Sequence, residues 1–191
     1  MTRRRQRLEQ LTILGLMIAM ILIMTYVPNL GYIQTGFFSI TIIHLPVIIG
    51  ILATGPLGGF VLGTTWGLTS WHYATTLGTA EAAIFVNPMV SIVPRILVGL
   101  IVAYSYLGLR KLIKAKPLRY GIVAGLGALS NTVLVLSAIF AFASAGLVSF
   151  NEAVTFIITF VISVNGSLEI LSAVILVPIV MVAVDKVRTR S

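Results

Sequence analysis

The chain has no cysteine, only five acidic residues and only two histidines among its 191 residues. Without cysteine there are no disulfides, no thiolate chemistry and no cysteine metal sites. Charged residues make up 9% of the chain and hydrophobic ones 58%, which leaves too little charge to clothe a soluble domain of this length. Signature motifs are missing too. There is no G-x-x-x-x-G-K-[ST] loop, so the chain has no P-loop with which to hydrolyse ATP. There is no H-E-x-x-H and no G-x-S-x-G, and neither His44 nor His72 has an obvious nucleophile partner. An intramembrane enzyme built on Glu169 and His44 is the poorer reading, and no catalytic residue, metal or cofactor is expected.

What is present is mostly apolar, with a mean hydropathy of +1.08. The net charge of +8 does not point to nucleic acid, because no basic face is interleaved with polar surface. Twelve of the 13 basic residues fall in three clusters instead. These are Arg3, Arg4, Arg5 and Arg7; Arg110, Lys111, Lys114, Lys116 and Arg119; and Lys186, Arg188 and Arg190. Short basic segments mark the cytoplasmic side of a membrane protein, where they meet anionic lipid headgroups.

Six apolar segments separate the clusters, at 11–27, 39–54, 60–73, 88–109, 120–146 and 154–184. The first follows a basic region but is long and lacks a small-x-small cleavage site, so a retained helix is expected rather than a signal peptide. Six helices with cytoplasmic termini put every basic cluster inside and Glu81 and Glu152 outside; five or seven do not. The expected fold is therefore an all-α, polytopic membrane protein with one transmembrane domain over 1–191. Its basic tail is 1–10 and its cytoplasmic loop 109–119.

Several polar residues lie within these segments. Trp66, Thr69, Ser70 and Tyr73 share one helix face, with Trp66 expected to wall a pocket. Trp71 and Tyr73 fit an interfacial aromatic belt equally well. Asn165, Glu169 and Ser172 recur at helical spacing; Asn131 and Ser130 sit mid-segment, and Asn87 is expected to cap the fourth helix beside Pro88. Amides within membranes often only tie helices together. Three of them on different helices, with a hydroxyl stripe, point to a polar cavity opening outward. Arg95 is the thirteenth basic residue and lies alone in an apolar segment, which demands a partner. Two readings stand: an internal pair with Glu169, or a counter-charge for an anionic ligand. His44 reads as a packing residue.

Small-xxx-small pairs occur at Gly15 and Ala19, Gly99 and Ala103, and Gly121 and Gly125. Such pairs let helices approach closely. Together with six short helices and aromatic outer segments, the first pair resembles the substrate-binding S component of energy-coupling factor (ECF) vitamin transporters. Two runs carry the likeness more specifically: SITIIHLPVIIGILATGPLGGFVLGTTWGLTS and FVNPMVSIVPRILVGLIVAY. The resemblance implies a bacterial plasma-membrane protein that binds a vitamin from outside. It also implies delivery through a membrane coupling subunit and two ATPase subunits, with Gly15 and Ala19 contacting the coupling subunit. The runs look most like pantothenate-type members, with pyridoxine and hydroxymethylpyrimidine types as alternatives. An autonomous secondary carrier is a more distant alternative, and the chain lacks the repeated discontinuous helices that carriers show. For pantothenate, Arg95 would take the carboxylate, Asn87, Asn131 and Asn165 the amide and hydroxyls, and Trp66 and Tyr73 the gem-dimethyl carbons.

Overall fold

A computed structural model describes residues 3–34, 39–78, 80–144, 155 and 165–190. Among these, seven helices and one small hairpin occur. They are α1 (Arg3–Tyr26), β1 (Tyr32–Gln34), β2 (Ser39–Thr41), α2 (His44–Thr54), α3 (Pro56–Thr76) and α4 (Ala80–Phe85). Then follow α5 (Pro88–Leu112), α6 (Lys116–Ser144) and a last helix, α7 (Gly166–Arg190). Four stretches are long and apolar enough to cross a membrane: Arg4–Tyr26, Pro88–Leu112, Lys116–Phe142 and Gly166–Arg188.

Some expectations need correction. The second segment does not start as helix: Ser39–Thr41 pairs antiparallel with Tyr32–Gln34, and α2 begins only at His44. β-branched Ile40 and Thr41 suit a strand, and the pairing supplies backbone partners that a helix start would leave unmet. The basic tail is helical from Arg3, and the loop expected over 109–119 shrinks to residues 113–115 between α5 and α6. Arg119, expected in that loop, lies on α6 and is buried, donating from Nη1 to the Ile113 carbonyl at 2.7 Å. The link after residue 73 contains the short helix α4. The end of the fifth segment, Asn151, Glu152 and most of the stretch to 164 lie outside the described residues.

Three glycines bring α3 against α5. Gly59, Gly63 and Gly67 recur every four residues and so line one face. A Cβ on Gly63 would sit 2.7 Å from the Arg95 carbonyl, and one on Gly67 would sit 2.8 Å from Ile92 Cα. Gly59 meets Gly99, so the two backbones touch along three turns. Between α2 and α3, Gly55 adopts φ +77°, a region other residues avoid, and Pro56 then opens α3 where its missing N–H costs nothing. α2 sits inside the bundle, with Val47, Ile48, Ile51 and Leu52 in the main core beside Leu62, Val98 and Val102.

The basic clusters gather at one end of this bundle. Arg188 Nε donates to Glu9 Oε1 at 2.8 Å and its Nη2 to the Ala53 carbonyl at 3.3 Å, joining α7 to α1 and α2. Lys116 pairs with Asp185 at 2.9 Å, joining α6 to α7. The hairpin, α4 and the start of α7 lie at the opposite end.

Candidate functional site

At that opposite end a cavity of about 740 Å³, its open mouth included, lies among the hairpin and α3 to α7. Seven of the eight residues expected from sequence line it: Trp66, Ser70 and Tyr73 on α3, Arg95 on α5, Asn131 on α6, and Asn165 and Glu169 at the start of α7. Asn87 is the exception. Its side chain accepts from the Met89 backbone N–H at 3.0 Å, so it caps α5 and is spent on the helix end.

Arg95 is held by a defect in its own helix. Pro94 has no N–H to give the Val90 carbonyl four residues earlier, and Arg95 Nη1 donates to that oxygen instead, at 2.8 Å. Its guanidinium carbon lies 5.6 Å from the centre of the Trp66 ring and 5.1 Å from that of Phe85. Two aromatic faces thus flank the buried cation. Arg95 and Glu169 form no ion pair within 4.0 Å, so the internal-pair reading does not hold in this geometry.

Glu169 is satisfied differently. Asn131 Nδ2 donates to its Oε2 at 3.2 Å. Its backbone carbonyl accepts from His44 Nε2 at 3.2 Å and from Ser172 Oγ at 3.0 Å. His44, 1% exposed, therefore fixes the start of α7 and packs as expected. Ser130 bonds back to the Leu126 carbonyl of its own helix and takes no part in the cavity. Three polar atoms of cavity residues are buried without a protein partner: Arg95 Nε, Trp66 Nε1 and Asn131 Oδ1. Each such group costs about 1–3 kcal/mol unless something bonds to it. The cavity therefore favours a ligand with both acceptors and donors.

The hairpin closes one side. The Tyr32 hydroxyl lies 2.7 Å from Ser70 Oγ, and its ring stacks on Tyr73 at 4.9 Å with planes 6° apart. Thr41 N–H reaches Asn165 Oδ1 at 3.4 Å. Burial pushes the Tyr32 hydroxyl above its ordinary pKa, so it stays protonated and able to donate. α4 brings Phe85 over Arg95, and the Phe85 carbonyl accepts from the Ser91 hydroxyl. Trp71 turns away from the cavity and donates to the Val86 carbonyl at 2.8 Å, pinning the end of α4 to α3. Sequence reasoning missed Tyr32, Thr41 and Phe85. Tyr32 and Phe85 come from links without periodicity and Thr41 from a segment expected to be helix, and only the hairpin pairing and the α4 contact bring them inward.

Midway along α1, Gly15 and Ala19 lie exposed, and a Cβ on Gly15 would meet nothing within 4 Å. Gly99 is used internally against Gly59, and Gly121 and Gly125 pack on α7 at Val174.

The family description "ECF transporter, substrate-specific component" matches residues 9–181. The chain is 32% identical over 165 residues to a "Pantothenic acid transporter PanT" of Lactococcus lactis subsp. cremoris, covering 79% of this chain and 80% of that one. It is 36% identical over 138 residues to a "Pantothenate transporter PanT" of Leuconostoc mesenteroides subsp. mesenteroides, covering 67% of this chain and 66% of that one. With several apolar helices, a match over almost the full chain and relatives that are bacterial transporters, this is a multi-pass plasma-membrane transport protein, and it belongs to the substrate-specific component family of ECF transporters.

Proposed function

We propose that the chain is the pantothenate-binding S component of an ECF importer. The observation that carries this reading is Arg95: buried, not in salt-bridge contact with Glu169, and flanked by two aromatic rings in a cavity that also offers amides, hydroxyls and the Glu169 carboxyl group. A ligand carboxylate would pair with Arg95, the one basic side chain among the described residues that line the cavity. Asn131, Asn165 and Glu169 would take the amide and hydroxyls, and Trp66, Tyr73 and Tyr32 would pack on the gem-dimethyl carbons. Asn87 drops out of this assignment. The relatives named for pantothenate point the same way.

The rest of the cycle follows the family. Six crossings would place both termini and the basic end in the cytoplasm, with α2 and α3 lying within the bundle as the shorter or less apolar members. The cavity would then face outward. A coupling subunit would dock on α1 at Gly15 and Ala19, where the small side chains leave the helix surface open, and two ATPases would drive release. The parallel Tyr32–Tyr73 stack also suits a flat ring, which favours pyridoxine or hydroxymethylpyrimidine as the second reading.

Calorimetric titration of the detergent-purified chain with pantothenate, pyridoxine and hydroxymethylpyrimidine decides between them. One-to-one binding of pantothenate alone is expected. Binding of a neutral ring keeps the transporter reading and removes the carboxylate from Arg95. Solute uptake by the chain reconstituted alone, without ATPases, would replace the reading with an autonomous carrier.

A further inference from the structure

An apolar groove runs along the outside of α6 and α7 from the basic end to Leu129 and Ile170, on residues that do not line the cavity. Gly121 and Gly125 form its floor, where α6 comes closest to α7. Its far wall is Val174 and Pro178 of α7. Its near wall is Leu118, Ile122, Leu126 and Leu129. From Leu118 to Leu129 the groove is about 16 Å long at 1.5 Å per residue. That is about half of a hydrocarbon core roughly 30 Å thick, the depth of one leaflet.

The groove begins at Pro117, directly after the link of residues 113–115. Lys116 is paired with Asp185, but Lys111 and Lys114 are exposed and make no ion pair or hydrogen bond with other described residues. An apolar slot one leaflet deep thus has two uncommitted cations at its membrane-surface end. A second helix would fit poorly, because the close-approach glycines already face α7: a Cβ on Gly125 would lie 3.0 Å from Val174 Cγ2. An acyl chain needs no such face.

We infer that this groove is a binding site for an anionic glycerophospholipid, one acyl chain lying between α6 and α7 and the phosphate meeting Lys111 and Lys114. The site is on the leaflet next to the basic end. Calling that leaflet the inner one rests on the topology proposed above. The lipid selectivity does not, so a cysteine at position 114 probed from either side tests the topology separately.

The full chain carrying Ile122→Trp is reconstituted in bilayers containing brominated phosphatidylglycerol or brominated phosphatidylcholine. Quenching is read relative to the parent protein, whose Trp66 and Trp71 lie on α3 toward the other end. Ile122 is already 37% exposed, so the larger ring enters lipid rather than core. The control is Leu16→Trp, at an exposed position on α1, which follows its own basic cluster but does not line this groove. Local preference for phosphatidylglycerol at position 122 should exceed that at position 16 by about fivefold, and Lys111→Ala with Lys114→Ala should abolish the excess. Equal preference at the two positions would overturn the proposal, leaving only the general attraction of basic segments for anionic lipid. So would shielding of position 122 from both lipids in a chain that light scattering shows to be dimeric, since a protein helix would then occupy the groove.

Discussion

The amide of Asn131 and the carboxylate of Glu169 meet at 3.2 Å between α6 and α7, and both side chains are buried beside the cavity. The bond leaves Asn131 Oδ1 unpartnered, so it orients one amide for two tasks, one inside the protein and one toward the cavity. Asn131→Ala should lower the stability of the ligand-free protein by about 1–3 kcal/mol, because the carboxylate loses a buried donor. Thermal unfolding in detergent, with and without pantothenate, measures both effects. An unchanged midpoint would mean that Glu169 is solvated and does not depend on Asn131.

Tyr32 contributes through its ring and its hydroxyl separately. Tyr32→Phe keeps the stack on Tyr73 and removes the contact with Ser70, and should weaken pantothenate binding by about 1 kcal/mol, near fivefold. Tyr32→Ala should cost more, since the aromatic pair adds about 0.5–1.5 kcal/mol beyond its buried area. Equal affinities for the parent and both variants would show that the hairpin does not cover bound ligand.

Arg95→Ala should reduce affinity for pantothenate by several kcal/mol if the carboxylate is bound directly, about 2–5 kcal/mol for a buried charge pair. Titration against the corresponding amide, which lacks the charge, separates a lost ion pair from a collapsed cavity. The amide should bind parent and variant with nearly equal affinity.

Gly63→Ala puts a methyl group 2.7 Å from the Arg95 carbonyl, against backbone that cannot swing aside. Overpacking of this kind costs about 1–3 kcal/mol. Stability and affinity should fall together, as α3 is pushed off the helix that carries Arg95. Gly15→Leu should do neither, since nothing lies within 4 Å of its Cβ. It should instead weaken assembly with the coupling subunit, as read by co-purification.

Much of the site was legible because it is written in helical spacing. The stripe of Trp66, Ser70 and Tyr73 and the pair Asn165 and Glu169 required only the 3.6-residue period. Arg95 was conspicuous as a charge in an apolar run, and the lack of an ion pair with Glu169 removed one of its two readings. The cap at Asn87 was legible as well, from an amide ahead of a proline-led helix, and that same bond keeps its side chain on the helix end rather than on the cavity lining. The strand at Ser39–Thr41 was hidden because its partner lies across a turn, and an apolar run of that length does not distinguish strand from helix. The glycine face of α3 was overlooked because its period matters only once α5 is known to lie against it.

The adjacency of Pro94 and Arg95 has a consequence for how cargo is captured. A long, flexible cation usually loses rotational freedom when it grasps an anion. Here that freedom is surrendered when the chain folds, because the guanidinium completes the hydrogen bonding of its own helix before any anion arrives. On the proposed assignment, capture by Arg95 would begin with the guanidinium already placed, and its affinity would not be diminished by the cost of extending it. Substituting an ordinary residue for Pro94 would restore the missing amide, compete for the Val90 carbonyl, and turn a fixed receptor into a searching one.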